Sequence, residues 1–343
     1  MYSDQSLASS VNRYRYENGR RYHGYRDGPH AYYAPNDDSY VNYESIVHHL
    51  WLLTLEDKLF LAPLENPQMV LDIGTGVGLW AIDMADCFPG AEIIGTDLSS
   101  IQSTTAPPNI RFEYDDANSE WTYPENSFDF VHVRGLTGCI RDWLALYQQA
   151  YKTLKPGAWF QHGEFSITTN ADPKSDVHAD KMYTKFSTLT MSCGEEEHTG
   201  MTFYTVERMR GYMEDAGFTN IVEKKFIWPI GPWPKDPHLK EMGRWGERNW
   251  TDGIENWVLA LYTRFLGWKY TEVQSFITEF RKVIKDRKNH YYQTVCVVYG
   301  RKPGLEGKLG IEENLSLEAT LKFEGGRSEG REGDEGDEEK AGE

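Results

Sequence analysis

The stretch DIGTGVG, from Asp72 to Gly78, sets three glycines at alternating positions behind the apolar run MVL. Glycines spaced in this way let a strand turn sharply into a helix and let a ligand approach backbone amides closely. Two phosphate-binding readings fail on it. The dinucleotide fingerprint GxGxxG wants its third glycine where Leu79 stands, and no Lys-Ser/Thr pair follows, as a P-loop requires. The remaining pattern, DxGxGxG, is on its own also compatible with a plain strand-to-helix turn.

Acids further along narrow the chemistry. Asp97 closes AEIIGTD, 19 residues after Gly78, where a carboxylate can accept hydrogen bonds from both hydroxyls of a ribose. Asp115, Asp116 and Ala117 close NIRFEYDDA. There an acid can accept from an exocyclic adenine amine and a backbone N–H can face a ring nitrogen. Asp116 is preferred to Asp115 for that role, and either acid could instead cap a turn. No Lys or Arg adjoins the glycine turn to pair with a pyrophosphate, so the nucleoside carries something small and zwitterionic. Asp72 could draw an ammonium through water, and the amides at the helix start could meet a carboxylate. An adenosine bearing an amino acid is S-adenosyl-L-methionine. Arg134, ending SFDFVHVR, either holds that carboxylate or forms a surface ion pair. The expected cofactor-binding set is therefore Asp72, Gly74, Thr75, Gly76, Gly78, Asp97, Leu98, Asp116, Ala117 and Arg134. A general base could come from His23, His132, His162 or Glu164, with His162 and Glu164 the named catalytic candidates. Each histidine is also readable as a buried, satisfied core residue. Trp121 fits an adenine stack and a core position equally.

These residues need elements to place them. From Asp38 to Leu61, Tyr43, Ile46, Val47, Leu50, Leu53 and Leu55 keep near-helical spacing up to Pro63. Strand MVLDI leads through the glycine turn to a helix near 78–88. Strands AEIIGTD, NIRFEYDDA and SFDFVHVR follow, then a helix near 140–154 stopped at Pro156–Gly157, then strand AWFQHGEFS. Strands and helices alternating at this interval mean right-handed crossovers and a parallel sheet buried on both faces. Beyond a helix near 177–192, residues 170–204 carry no clear element. Helix TVERMRGYMEDAGF, strand TNIVEKKFIWPIG, helices near 254–266 and 271–287, and strand HYYQTVCVVYG complete the pattern. Six of the 11 tryptophans fall in 228–268, which reads as an inserted lid or substrate wall.

Composition bounds the rest. The chain has 343 residues and a net charge of −17, which argues against non-specific nucleic-acid binding. Residues 324–343 hold nine acids against three bases, so the tail contributes −6 of that charge. Its composition predicts disorder. Four scattered cysteines with no CxxC pair favour reduced thiols over disulfides or a metal site. No secretory h-region and no apolar run of about 18 residues is visible. The expectation is a soluble intracellular protein, cytoplasmic or nuclear, with no membrane partner. Residues 1–43 hold nine of the 21 tyrosines with Arg13, Arg15, Arg20, Arg21 and Arg26 among them, more aromatic than a solvated linker. The expected organisation is an N-terminal flap over 1–37, partly disordered, a main domain over 38–302 with a helical lid over 238–289, and a disordered tail over 303–343.

The chain resembles the class I S-adenosylmethionine-dependent methyltransferases. More closely, ENGRRYH, YVNYESIVHHLWLLTLEDKLFLAPL, DDANSEWTYPENSFDFVHVRGL and LKPGAWFQHGEFS resemble the fungal LaeA-like methyltransferases, over roughly residues 14–302. The QHGE at 161–164 departs from the family pattern of an acid followed by a hydrophobic residue. The resemblance implies an α/β, Rossmann-like sheet of seven strands, the last antiparallel, with a helical N-terminal segment and a Trp-rich helical insertion before the last strand. It implies methyl transfer to an O, N or C nucleophile of a small molecule in fungal secondary metabolism. The alternative it raises is a nuclear regulator acting with protein partners. A nicotinamide dehydrogenase fails on Leu79.

Overall fold

The computed structural model describes residues 13–25, 32–171 and 175–304. The expectations of disorder in the first dozen residues and in the acidic tail fall outside the described residues, apart from Pro303 and Gly304.

Two short strands open the described chain, β1 (Tyr14–Glu17) and β2 (Arg20–His23), paired antiparallel. Asn18 and Gly19 join them with φ of 51° and 76°, the left-handed pair that a two-residue hairpin turn requires. Helix α1 (Asp38–Thr54) follows, its first turn capped by the Asp37 carboxylate, which accepts from Tyr40 N at 3.2 Å. The helix ends seven residues short of the expected boundary. Glu56 and Asp57 adopt φ of 53° and 61°, so the chain turns before Pro63. Its buried side includes His48 and Trp51 as well as Tyr43, Ile46 and Leu50, because it packs between the sheet and a later helix.

The main sheet begins with β3 (Met69–Ile73), then α2 (Leu79–Cys87), β4 (Glu92–Asp97), β5 (Ile110–Tyr114) and β6 (Phe128–Arg134). Trp80, Ala81, Met84 and Ala85 form the face of α2 that packs on the sheet. Helix α3 (Trp143–Thr153) passes directly into β7 (Leu154–Ala171), so the helix stops before Pro156 rather than at it. Helices α4 (Val177–Ser192) and α5 (Met209–Asp215), strand β8 (Thr219–Ile230), helices α6 (Pro237–Arg264) and α7 (Tyr270–Lys285) and strand β9 (Tyr291–Arg301) complete the order. The spatial order is β5-β4-β3-β6-β7-β9-β8. β5, β4, β3, β6 and β7 run parallel, and β9 is antiparallel to both neighbours. This is a seven-stranded sheet with its last strand reversed, the arrangement the resemblance implies. The chain steps outward from β3 and then returns to β6, which opens a crevice at the strand carboxyl ends between them.

Helix α6 starts at Pro237, capped by Asp236, well before the expected 254. Glycines masked its first half in the sequence. A Cβ on Gly243 or Gly246 would lie 2.2 Å from Gly231 O or 2.1 Å from Pro229 O, so these glycines let α6 lie directly against the end of β8. Helices α6 and α7 occupy the expected insertion between β8 and β9. Their aromatic side chains, with those of α4, form one buried cluster around Phe186, Trp250, Tyr262 and Phe280. Among the described residues no helix is long and apolar enough to cross a membrane.

Candidate active site

The glycine turn is locked by its own backbone. Gly74, Gly76 and Gly78 have φ of 69°, 59° and 85°. A Cβ on Gly74 would sit 2.4 Å from Leu136 Cδ2, and one on Gly78 2.6 Å from Phe112 Cζ. Thr75 N donates to Thr96 O at 2.8 Å, tying the turn to β4. Both oxygens of Asp72 are engaged: Oδ2 accepts from Thr75 Oγ1 at 2.7 Å and Oδ1 lies 2.7 Å from His132 Nδ1. Burial pushes His132 down to about 4 despite Asp72 beside it, so it is neutral at pH 7 and donates its Nδ1–H. Its ring stacks on Trp80 at 3.7 Å. Asp72 is thereby fixed as the anchor of the turn.

Asp97 lies at the centre of the site. Its Oδ2 accepts from Gly76 N and its Oδ1 from Ser99 N, each at 2.9 Å. Burial raises its pKa to about 6, against the pull of those backbone donors. Two cavities meet at this carboxylate and share Tyr32, Gly74 and Leu136 besides. The smaller has about 660 Å³ of atom-free space including its mouth, and its walls include Leu98, Asp116, Ala117, His23 and Tyr25. Asp116, 2 % exposed, accepts from Asn118 N at 3.0 Å. Asp115 lines the same cavity. The N-terminal segment therefore contributes walls to this end. It is held in place by Arg20, whose Nε and Nη2 bond the Asp37 carboxylate at 2.6 and 2.9 Å while Nη2 also donates to Asn256 Oδ1.

The larger cavity, about 1300 Å³ on the same measure, runs from the glycine turn past Arg134 to Phe186, Trp250 and Gln293. Arg134 points into it rather than to the surface. Its guanidinium lies 3.0 Å from His48 Nδ1 and over the Trp51 ring. Among the described residues it has no ion-pair partner. Burial lowers its pKa to about 10, and Asp72, Glu44 and Asp83 oppose that shift; it stays cationic at neutral pH. A buried cation without a carboxylate at contact distance is a ready anion site. Glu44, on α1, lines the same cavity near Gly76. Burial raises its pKa, offset by Tyr40 and Arg134. The sequence reading missed Glu44, which looked like an ordinary polar-face residue of an amphipathic helix.

His162, Glu164 and Trp121 lie away from both cavities. His162 and Glu164 are fully buried and line neither cavity. His162 Nδ1 is 2.7 Å from the Tyr147 hydroxyl and its ring stacks on Trp143, while Glu164 Oε1 accepts from Leu136 N. Side chains alternate across a strand, and in β7 it is Phe165 and Ile167 that face the cavity. The catalytic assignment of His162 and Glu164 is replaced by a structural one. Trp121 is a core residue packed among Ile94, Phe128 and Trp143, not a cavity wall. Asp72, expected to draw an ammonium through water, lines the larger cavity with its oxygens on Thr75 and His132. The other predicted cofactor residues with side chains (Thr75, Asp97, Leu98, Asp116, Ala117 and Arg134) lie on the turn or the two cavities.

The family model described as a methyltransferase domain matches residues 43–223, a span holding the glycine turn, Asp97, Asp116 and Arg134. The methyltransferase pytC of Aspergillus terreus is 38 % identical, over 87 % of this chain and 91 % of the relative. The secondary metabolism regulator LAE1 of Cochliobolus heterostrophus is 34 % identical, over 84 % and 94 %. The protein-methionine methyltransferase laeA of Emericella nidulans is 29 % identical, over 88 % and 79 %. A seven-stranded sheet with its last strand reversed, a glycine turn flanked by two strand-end acids, and this likeness along most of the chain agree: the chain belongs to the methyltransferase-domain family, beside the fungal pytC- and LaeA-like methyltransferases.

Proposed function

We propose that the protein transfers the methyl group of S-adenosyl-L-methionine to an oxygen, nitrogen or carbon of a small molecule in fungal secondary metabolism. The observation that carries this is Asp97, a largely buried carboxylate where the two cavities meet, with Arg134, which has no ion-pair partner among the described residues, in one and Asp116 in the other. Asp97 accepts from the ribose hydroxyls, Asp116 from the adenine amine, and the Ala117 amide faces the ring. Arg134 takes the amino-acid carboxylate. Glu44, not Asp72, is the acid placed to take the ammonium. When bound, the cofactor supplies a methyl group already activated on a sulfonium.

The chain's own work is then alignment and exclusion of water. Tyr33, Tyr43, Trp51 and Phe165 wall the cavity beyond Arg134, and near-attack positioning of this kind supplies about 7–11 kcal/mol. Of the four candidate bases, His162 and Glu164 are in the core, His23 lines the smaller cavity, and His132 is held neutral against Asp72.

The relatives named as regulators and as a protein-methionine methyltransferase support a second reading, in which the acceptor belongs to a partner protein in the nucleus. Free cysteines at 87, 139, 193 and 296 fit an intracellular place for either. The test is incubation with methyl-labelled cofactor and a whole-cell extract, metabolites and proteins together, of a strain lacking the gene. Label in a small molecule supports the first reading, and label confined to protein supports the second.

A further inference from the structure

The larger cavity has a second wall that the cofactor residues do not explain. Phe186 and Thr190 from α4, Trp250 and Leu261 from α6, Phe165 from β7 and Gln293 from β9 form it. It is apolar and aromatic, yet it holds polar atoms that are buried and unmatched among the described residues. Gln293 is 2 % exposed; its Nε2 donates to Ser166 O at 2.6 Å, while its Oε1 has no partner. Trp250 is 1 % exposed and its indole Nε1–H is likewise unpartnered. Thr137, on the same cavity, leaves its Oγ1 unbonded. Leaving a buried amide oxygen or indole N–H unmatched is costly, and such groups recur where a ligand completes them. Gln293 Oε1 can only accept, Trp250 Nε1 can only donate, and a hydroxyl satisfies both kinds of group. No Asp, Glu, Lys, Arg or His belongs to this wall, so a charged ligand would enter it uncompensated.

Resting on the methyltransferase reading, we propose that this wall selects the acceptor: an uncharged, flat aromatic or conjugated molecule carrying a hydroxyl, which donates to Gln293 Oε1 and accepts from Trp250 Nε1. The aromatic rings clasp its faces. The amide and the indole set its orientation, and discriminate against the same skeleton without the hydroxyl.

The test is calorimetry on full-length protein saturated with S-adenosylhomocysteine, using 2-naphthol, naphthalene, 2-naphthoate and N-acetylmethionine amide as probes. The expected result is 2-naphthol binding at least about tenfold more tightly than naphthalene, with 2-naphthoate weaker than 2-naphthol. Gln293→Leu and Trp250→Phe should each shrink that preference while S-adenosylhomocysteine still binds, which also shows that the variants fold. Equal binding of 2-naphthol and naphthalene, a preference for 2-naphthoate, or no binding of any naphthalene overturns the inference. Tighter binding of the methionine amide overturns it in favour of a protein acceptor. If S-adenosylhomocysteine itself fails to bind wild-type protein, the methyltransferase reading falls and this inference falls with it.

Discussion

At the scale of single residues, Asp97 and Arg134 make the sharpest statements. Burial pushes Asp97 up to about 6, and only the ionised carboxylate accepts from the two hydroxyls of a ribose diol with both of its oxygens. As pH falls through 6 the free protein takes up a proton that binding must expel. Affinity for S-adenosylhomocysteine should therefore be flat above about pH 7 and drop roughly tenfold per pH unit well below 6. Titrations between pH 5 and 8 check this, and tighter binding at pH 5 would contradict the sign. Replacing Arg134 by Gln removes one charge-assisted contact, for an expected loss of about 10–150-fold in affinity; an unchanged dissociation constant would place the carboxylate elsewhere. The strand-end acids were legible in the sequence because a βαβ unit fixes how far apart along the chain they fall. The side of β7 on which His162 and Glu164 lie was not. A shift of one position exchanges the two faces of a strand, and only Phe165 and Ile167 in the cavity settle which face is which.

At the scale of elements, the N-terminal hairpin and helix α6 depend on each other. Arg20 joins Asp37 to Asn256, and Arg264 donates to Glu17 Oε2 at 2.9 Å and to Tyr32 O at 3.1 Å. Arg20→Ala should loosen the segment that walls the smaller cavity and weaken cofactor binding several-fold. A binding constant equal to wild type would show that the segment does not serve the site. Gly246→Ala should force α6 away from Pro229 O at a cost of about 1–3 kcal/mol, lowering the melting temperature by roughly 2–10 °C in a domain of this size. An unshifted melting curve would mean that α6 does not lie this close. Asn18-Gly19 announced the hairpin in plain view, but the segment was read for its arginines and tyrosines instead. The first half of α6 was hidden by two glycines, Gly243 and Gly246, residues that disfavour helix locally and are tolerated here because tertiary packing demands them.

At the scale of the whole molecule, the alternation of strands and helices made the parallel part of the sheet legible, and the family resemblance its reversed last strand. The cavity walls were not. Glu44, Phe186, Trp250 and Gln293 come from four elements spread over about 250 residues, and no periodicity within one element points to their meeting. The sheet closes at β9, and Lys302 anchors its end by donating to Leu154 O at 2.7 Å. Cutting the chain after Gly304 should thus leave the melting temperature within about 2 °C of wild type, and a larger fall would assign the removed residues a structural part. The account as a whole rests on one nucleoside spanning the two cavities with its sugar on Asp97. A crystal structure with S-adenosylhomocysteine tests that most directly. The expected complex has both ribose hydroxyls on Asp97, the adenine amine on Asp116 and the carboxylate on Arg134. A nucleoside bound with its sugar turned away from Asp97 would contradict it.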